Sequence, residues 1–214
     1  SIELFEAMIE AIRSGRVLVP VSSRQTELER STVIEDVEPA LVITDRPPSQ
    51  RDLCWRAPGT VSDHPTAAGL DAAAAHDLAM IVYTSGTTGQ PKGAMLSHGN
   101  LAAQASSLIE AWGWSDRDRL LSALPLFHVH GLVVALFTGL AAGGAVLLES
   151  SFDAAAFIHR SVAESASMAF CVPSMLYRID QVDGAERLSA LRLLVSGSAP
   201  LSPELFGSFA DRGI

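Results

Sequence analysis

Lysine is almost absent from this chain: Lys92 is the only one among 214 residues, and the other fourteen of its fifteen basic side chains are arginine. Such a skew reflects genomic base composition before function, so the lone lysine carries no argument by itself. Cysteine is scarce too. Cys54 and Cys171 stand far apart with no companions at metal-ligand spacing, which argues against a disulfide framework or a cysteine zinc site and for a reduced, cytoplasmic protein. Positive charge is in short supply, with 15 basic against 24 acidic residues and a net charge of −9. A phosphate backbone would find no basic surface, so nucleic acid is not an expected partner. A charged and then apolar leader is also missing, because Ser1 opens directly onto an amphipathic helix carrying Glu3, Glu6 and Glu10. The longest uncharged run, the eighteen residues Gly131 to Leu148, contains the small-residue pattern Gly139 to Gly143 seen where membrane helices pair. Gly143-Gly144 divides it into a buried helix and a short strand, Ala145 to Leu148, so a soluble reading is better than a transmembrane one.

What is present is an ordinary globular composition, 48% hydrophobic and 18% charged, with length for one large or two small domains. Helices and strands alternate. Helices are expected over Ile2–Ser14, Thr26–Val37, about His98–Trp112, Phe152–Ser165, Ser174–Asp180 and Ser202–Arg212. Strands are expected over Val17–Val21, Ala40–Thr44, Leu78–Tyr83, Arg119–Ala123, Ala145–Leu148, Met168–Val172 and Leu191–Ser196. Thr26 with Glu29 three residues on forms a capping box. Asp45 to His76, rich in Pro, Asp, Gly and Ala, reads as a long excursion. The segments divide into residues 1–76, a first α/β segment with a long loop, and 77–214, a second that carries the loop described next. The fold class is α/β: layered, largely parallel sheets flanked by helices.

That loop is Tyr83 to Gly93, YTSGTTGQPKG, with three glycines, three threonines, one serine and Lys92 in eleven positions. Backbone N–H groups and small hydroxyls can wrap a phosphate here, and Lys92 adds a full positive charge. A Walker A loop fails at three points: five residues separate Gly86 from Lys92, Pro91 precedes the lysine, and Gly93 follows it. Two further loops follow predicted strands, Leu124-Pro-Leu-Phe-His-Val-His-Gly131 and Val195-Ser-Gly-Ser-Ala-Pro-Leu201, and loops so placed can line one crevice. A metal reading of His128 and His130 needs a further ligand that nothing nearby provides. For His130 the plainer role is to cap the following helix.

Thr84 to Gly93 resembles, at every fixed position, the signature Thr-Ser-Gly-Thr-Thr-Gly-x-Pro-Lys-Gly of the adenylate-forming superfamily, which includes acyl-CoA synthetases. The resemblance covers essentially the whole chain and implies part of the large N-terminal domain of such an enzyme. It implies ATP phosphates at Thr84, Ser85, Gly86, Thr87, Thr88, Gly89 and Lys92, with Thr84 on the Mg²⁺ side, and an adenine pocket along Gly197, Ser198, Ala199 and Pro200. It implies an aromatic–histidine pair beside the acyl substrate at Phe127 and His128, and catalytic parts for Lys92 and His128. The Pro-Leu-Phe-His-x-His-Gly-Leu string is similar to that of malonyl and methylmalonyl-CoA synthetases, in which an arginine at the place of Arg178, helped by a serine in the third loop (here Ser198), pairs with a distal carboxylate. Surface exposure is the plain alternative for Arg178.

The family's Tyr-Gly-x-Thr-Glu segment, its ribose-binding aspartate and its C-terminal domain with a reactive lysine are not found in these 214 residues. The expectation is therefore a piece of a larger, AMP-forming acid–thiol ligase of fatty-acid and lipid metabolism, inactive alone, using ATP, Mg²⁺ and coenzyme A on a malonate-like or fatty acid. Two alternatives stay open: an acyl-AMP ligase that loads a carrier protein, and a non-catalytic nucleotide-binding protein.

Overall fold

The computed structural model describes residues 2–44, 55–56, 73–84 and 91–214. Ser85, Gly86, Thr87, Thr88 and Gly89, Cys54 and most of the expected excursion lie outside the described residues. Contacts divide the chain into two compact units, Ser1–Leu101 and Ala102–Ile214.

In the first unit α1 (Ile2–Arg13) ends at Gly15, whose φ of +70° suits the residue without a Cβ. The Arg16 N–H then donates to the Ala11 carbonyl at 2.8 Å, closing the helix end. Helix α2 (Glu27–Val37) opens with the expected capping box, Thr26 N–H to Glu29 at 2.7 Å and Glu29 N–H to Thr26 Oγ1 at 3.3 Å. Strands β1 (Val42–Ile43) and β2 (Trp55–Arg56) pair in parallel. Strand β3 (Leu78–Thr84) forms an antiparallel hairpin with β4 (Lys92–Ser97), in register from Leu78↔Ser97 to Thr84↔Lys92. The hairpin corrects two expectations. Lys92 begins a strand rather than ending a loop, and this pair is antiparallel. Lys-Gly-Ala-Met-Leu-Ser lacks β-branched and aromatic residues, so only pairing with β3 reveals its strand character. The strand expected over Val17–Val21 shrinks to one bridge, Leu18 to Met80. Pro20, with no N–H, limits its extension.

The second unit is built on four parallel strands in the order β6-β5-β7-β8. These are β5 (Arg119–Ser122), β6 (Ala145–Leu148), β7 (Met168–Cys171) and β8 (Leu193–Ser196). All four β7 residues are buried, as befits an inner strand covered on both faces. Helix α3 (His98–Trp112) lies ahead of β5 in the chain, and α5 (Ala154–Ala163), α6 (Pro173–Asp180) and α7 (Pro203–Asp211) follow in turn. Phe157, Phe170, Leu120, Leu121, Ile179 and Leu188 fill the core. The apolar run after β5 is helical as expected but wound as a π-helix, His130–Phe137, before one α-helical turn, α4 (Thr138–Ala141). Gly143, at φ +78°, then reverses the chain into β6. No helix among the described residues is long and apolar enough to cross a membrane.

At the amino ends of the strands sits a buried carboxylate, Asp118, 3% exposed. Arg192 grips it with two hydrogen bonds of 2.7 Å, Nε to Oδ1 and Nη2 to Oδ2, while Nη1 donates to the Trp112 carbonyl at 2.8 Å. Ser167 Oγ donates to the same carboxylate at 2.7 Å and the Ser115 N–H at 2.8 Å. The bond from Arg192 and those from Ser167 and Ser115 outweigh burial and hold the Asp118 carboxyl well below the usual carboxylate range. Because folding lowers its pKa, its stabilising contribution is complete above the ordinary aspartate range and is lost as pH falls toward the folded value. Arg192→Leu, which strands the buried charge, is expected to cost about 3 kcal/mol in chemical denaturation. Asp118→Asn should in addition flatten the loss of stability below about pH 4.

Candidate functional site

Strand β5 sends its connection to β6 on one side, while β7 lies on its other side; such reversals open a crevice beyond the carboxyl ends of parallel strands. A cavity of about 470 Å³ lies there, within the usual range for small-molecule sites. Gln104, Leu108 and Trp112, one stripe of α3 at intervals of four, form one wall. Val129, His130 and Val134 come from the start of the π-helix and the residue before it, and Val195, Gly197 and Ser198 from the end of β8 and its loop.

His130 supplies the polar pole. Its Nδ1 lies 3.0 Å from Ser198 Oγ, and its ring packs beside Phe170 at 6.1 Å between centroids. Burial pushes its pKa below the ordinary histidine value, so the ring is neutral at pH 7. Two backbone features secure the pair. A Cβ on Gly197 would meet the His130 ring at 2.7 Å, so only glycine lets the loop approach. Ser198 holds φ at +69°, in the left-handed region that a residue with a side chain rarely adopts. The Gly197 N–H is tied to the Cys171 carbonyl at 3.1 Å, fixing the loop to the sheet. Cys171 itself is fully buried, and that burial raises its thiol to about 12.

The expected site residues are distributed as follows. Gly197 and Ser198 line the cavity, and Ala199 and Pro200 continue the same loop, exposed. The Phe127 and His128 rings touch at 4.4 Å between centroids, tilted by 56°, but are not among the lining residues. His130 does line it; its side chain bonds Ser198, and the π-helix has no side-chain cap. Sequence reading therefore passed over the histidine that the fold places at the cavity. It also missed the α3 wall, whose signal was the i, i+4, i+8 spacing of Gln104, Leu108 and Trp112. Arg178 is exposed on α6, its guanidinium 4.9 Å above the Phe152 ring, with a long 3.5 Å bond to the Phe152 carbonyl. In the first unit Thr84 and Lys92 face each other at the loop end of the β3–β4 hairpin, both exposed. Among the described residues no cluster of His, Cys, Asp or Glu could hold a metal. Mg²⁺ at nucleotide sites keeps its waters and phosphate oxygens and needs few protein oxygens, so the exposed Thr84 hydroxyl fits it.

The parallel sheet flanked by helices, with a crevice at its carboxyl edge, defines an α/β fold. The sequence matches the family of AMP-binding enzymes over residues 1–214, and the chain belongs to that family. It is 32% identical over 220 residues to a feruloyl-CoA synthase of an Amycolatopsis species, covering 98% of this chain and 44% of that protein. It is 32% identical to the mitochondrial malonate–CoA ligase ACSF3 of Mus musculus, covering 88% and 37%. A malonyl-CoA ligase solved as a ternary product complex with methylmalonyl-CoA and AMP bound superimposes with a TM-score of 0.90 at 33% identity, covering all of this chain and 48% of that one. The chain thus spans less than half the length of these relatives.

Replacing Gly197 with alanine is expected to displace the His130 ring, cost about 1–3 kcal/mol by overpacking and raise the His130 pKa toward its ordinary value, as followed by NMR titration.

Proposed function

We propose that the protein to which this chain belongs is an AMP-forming acid–thiol ligase. The substrate carboxylate attacks the α-phosphorus of ATP, the bond to the β-phosphate oxygen breaks, and acyl-AMP and pyrophosphate result. A thiol, coenzyme A in this reading, then attacks the acyl carbon and AMP leaves. The observation that carries the proposal is the paired, exposed Thr84 and Lys92 at the base of a glycine–threonine loop in a chain whose relatives are CoA ligases. Lys92 lies within ion-pair reach of no carboxylate among the described residues, which leaves its charge for phosphate oxygens as the β–α bond breaks. Mg²⁺, when bound, would neutralise further charge on the same oxygens. Gly197 to Pro200 would present backbone to the adenine, and Phe127 and His128 would border the acyl group.

For the acid, Arg178 supports a dicarboxylate such as malonate or methylmalonate. Its guanidinium has no carboxylate partner among the described residues, and its planar fork suits a second carboxylate. The cavity supports a second reading, an acid with an apolar body, because Leu108, Trp112, Val129, Val134 and Val195 make most of its wall. The feruloyl-CoA synthase relative is in keeping with it.

Carboxylate-dependent pyrophosphate release by the intact protein, with malonate, methylmalonate, ferulate and fatty acids compared, tests both. Lys92→Ala should slow acid-dependent pyrophosphate exchange about a hundredfold with a smaller change in acid affinity; exchange at the wild-type rate would remove the role. Arg178→Leu should weaken diacids about tenfold or more, as expected for losing a charge-assisted bond, and leave monoacids within about twofold. Transfer to a carrier protein in place of coenzyme A would favour an acyl-AMP ligase, and nucleotide binding without pyrophosphate release a non-catalytic role.

A further inference from the structure

Asp36 sits where a carboxylate is least welcome. It lies in the last turn of α2, beside Glu35 and ahead of Glu38, and that turn carries no basic residue. The carbonyl end of a helix repels negative charge, so neither the dipole nor a neighbouring cation accounts for it. Its partner comes from elsewhere in the first unit: the Tyr83 hydroxyl, 47 positions along the chain, donates to Asp36 Oδ2.

Tyr83 is the next-to-last residue of β3 and is paired across the hairpin with Gly93. A Cβ on Gly93 would meet Ile81 Cγ2 at 2.7 Å and the Tyr83 ring at 3.2 Å, so the ring lies over the glycine. Covering a strand glycine with a cross-strand aromatic pins register where the glycine alone would leave it loose. The next pair toward the loop is Thr84 and Lys92. Burial, then the bond to Asp36, raises the Tyr83 hydroxyl to about 12, so it remains a donor across the neutral range.

We infer that Asp36 is a positioning residue for the phosphate-binding hairpin: through Tyr83 and Gly93 it fixes where Thr84 and Lys92 stand. The inference rests on the ligase reading for its consequence, since a displaced Lys92 matters only if phosphates lie there. Asp36 touches neither acid nor nucleotide in this scheme. Its loss should act on ATP alone, and an asparagine, which keeps a carbonyl acceptor, should restore most of the effect.

The test is acid-dependent pyrophosphate exchange on the intact protein and on Asp36→Ala, Asp36→Asn, Tyr83→Phe and the Asp36→Ala/Tyr83→Phe double variant. Asp36→Ala and Tyr83→Phe should each raise the KM for ATP about tenfold, with the KM for the acid within about twofold. Asp36→Asn should stay close to wild type, and the double variant should be no worse than either single change, because one bond is being removed. An unchanged ATP KM, an equal rise in the acid KM, or additive losses would overturn the inference. Hydrogen exchange without substrate separates it from the ligase reading. Peptides spanning 78–84 and 92–97 should lose protection in Asp36→Ala and Tyr83→Phe, while α1 keeps its own. Should the wild-type protein show no acid-dependent pyrophosphate exchange, the ligase reading fails, and unchanged protection of those peptides would then remove the anchor as well.

Discussion

The second unit depends on one ion pair, a buried Asp118 carboxylate gripped by a partly exposed Arg192. Asp118 and Arg192 join the turn before β5 to the residue before β8, and through Ser167 and the Trp112 carbonyl they reach β7 and the end of α3. Strands that are not sequence neighbours are thereby tied at their amino ends. Parallel strands need such ties, because each connection is a long crossover and no hairpin sets the register. With the amino edge fixed, the carboxyl edge inherits its geometry: Cys171 and Ser196 end level with one another, and the segments after β5 and β8 meet at His130 and Ser198. The loops at one edge of the sheet are thus held from a salt bridge at the other.

The family was legible because its signature is local. Thr84 to Gly93 announces itself by residue type, and helix–strand alternation with a capping box at Thr26 is a matter of near neighbours. What escaped reading was long-range. The identity of β4 rests on pairing with β3, which its own residues do not advertise. His130 and His128 are two apart in one loop, and only the π-helical winding and the close approach of Gly197 set His130 at the cavity. Asp36 is an ordinary helix acid until Tyr83 is folded onto it. Arg178 shows the converse: residue type and position suggest a carboxylate fork, while the side chain rests on Phe152.

Backbone strain is present beside the cavity, as it is at Glu38 and Ser165 elsewhere. Ser198 occupies a left-handed backbone, Gly197 tolerates no Cβ, and eight residues follow the wider π winding beside them. π-turns and left-handed non-glycine residues are both costly and concentrate at functional sites. The core beneath, from Leu120 to Leu188, is closely packed and apolar, which is what allows the edge to hold such conformations.

Cys171 closes the account of that edge. It ends β7, and its carbonyl fixes Gly197, yet its sulfur is sealed in the core and keeps its proton at any physiological pH. Thiolate is the form that attacks activated carbonyls. In the proposed ligase, a site that handles a mixed anhydride and an incoming thiol would be backed by a sulfur that neither competes for the acyl group nor exchanges with the acceptor. The strand contributes its backbone to the loop while its side chain stays chemically silent.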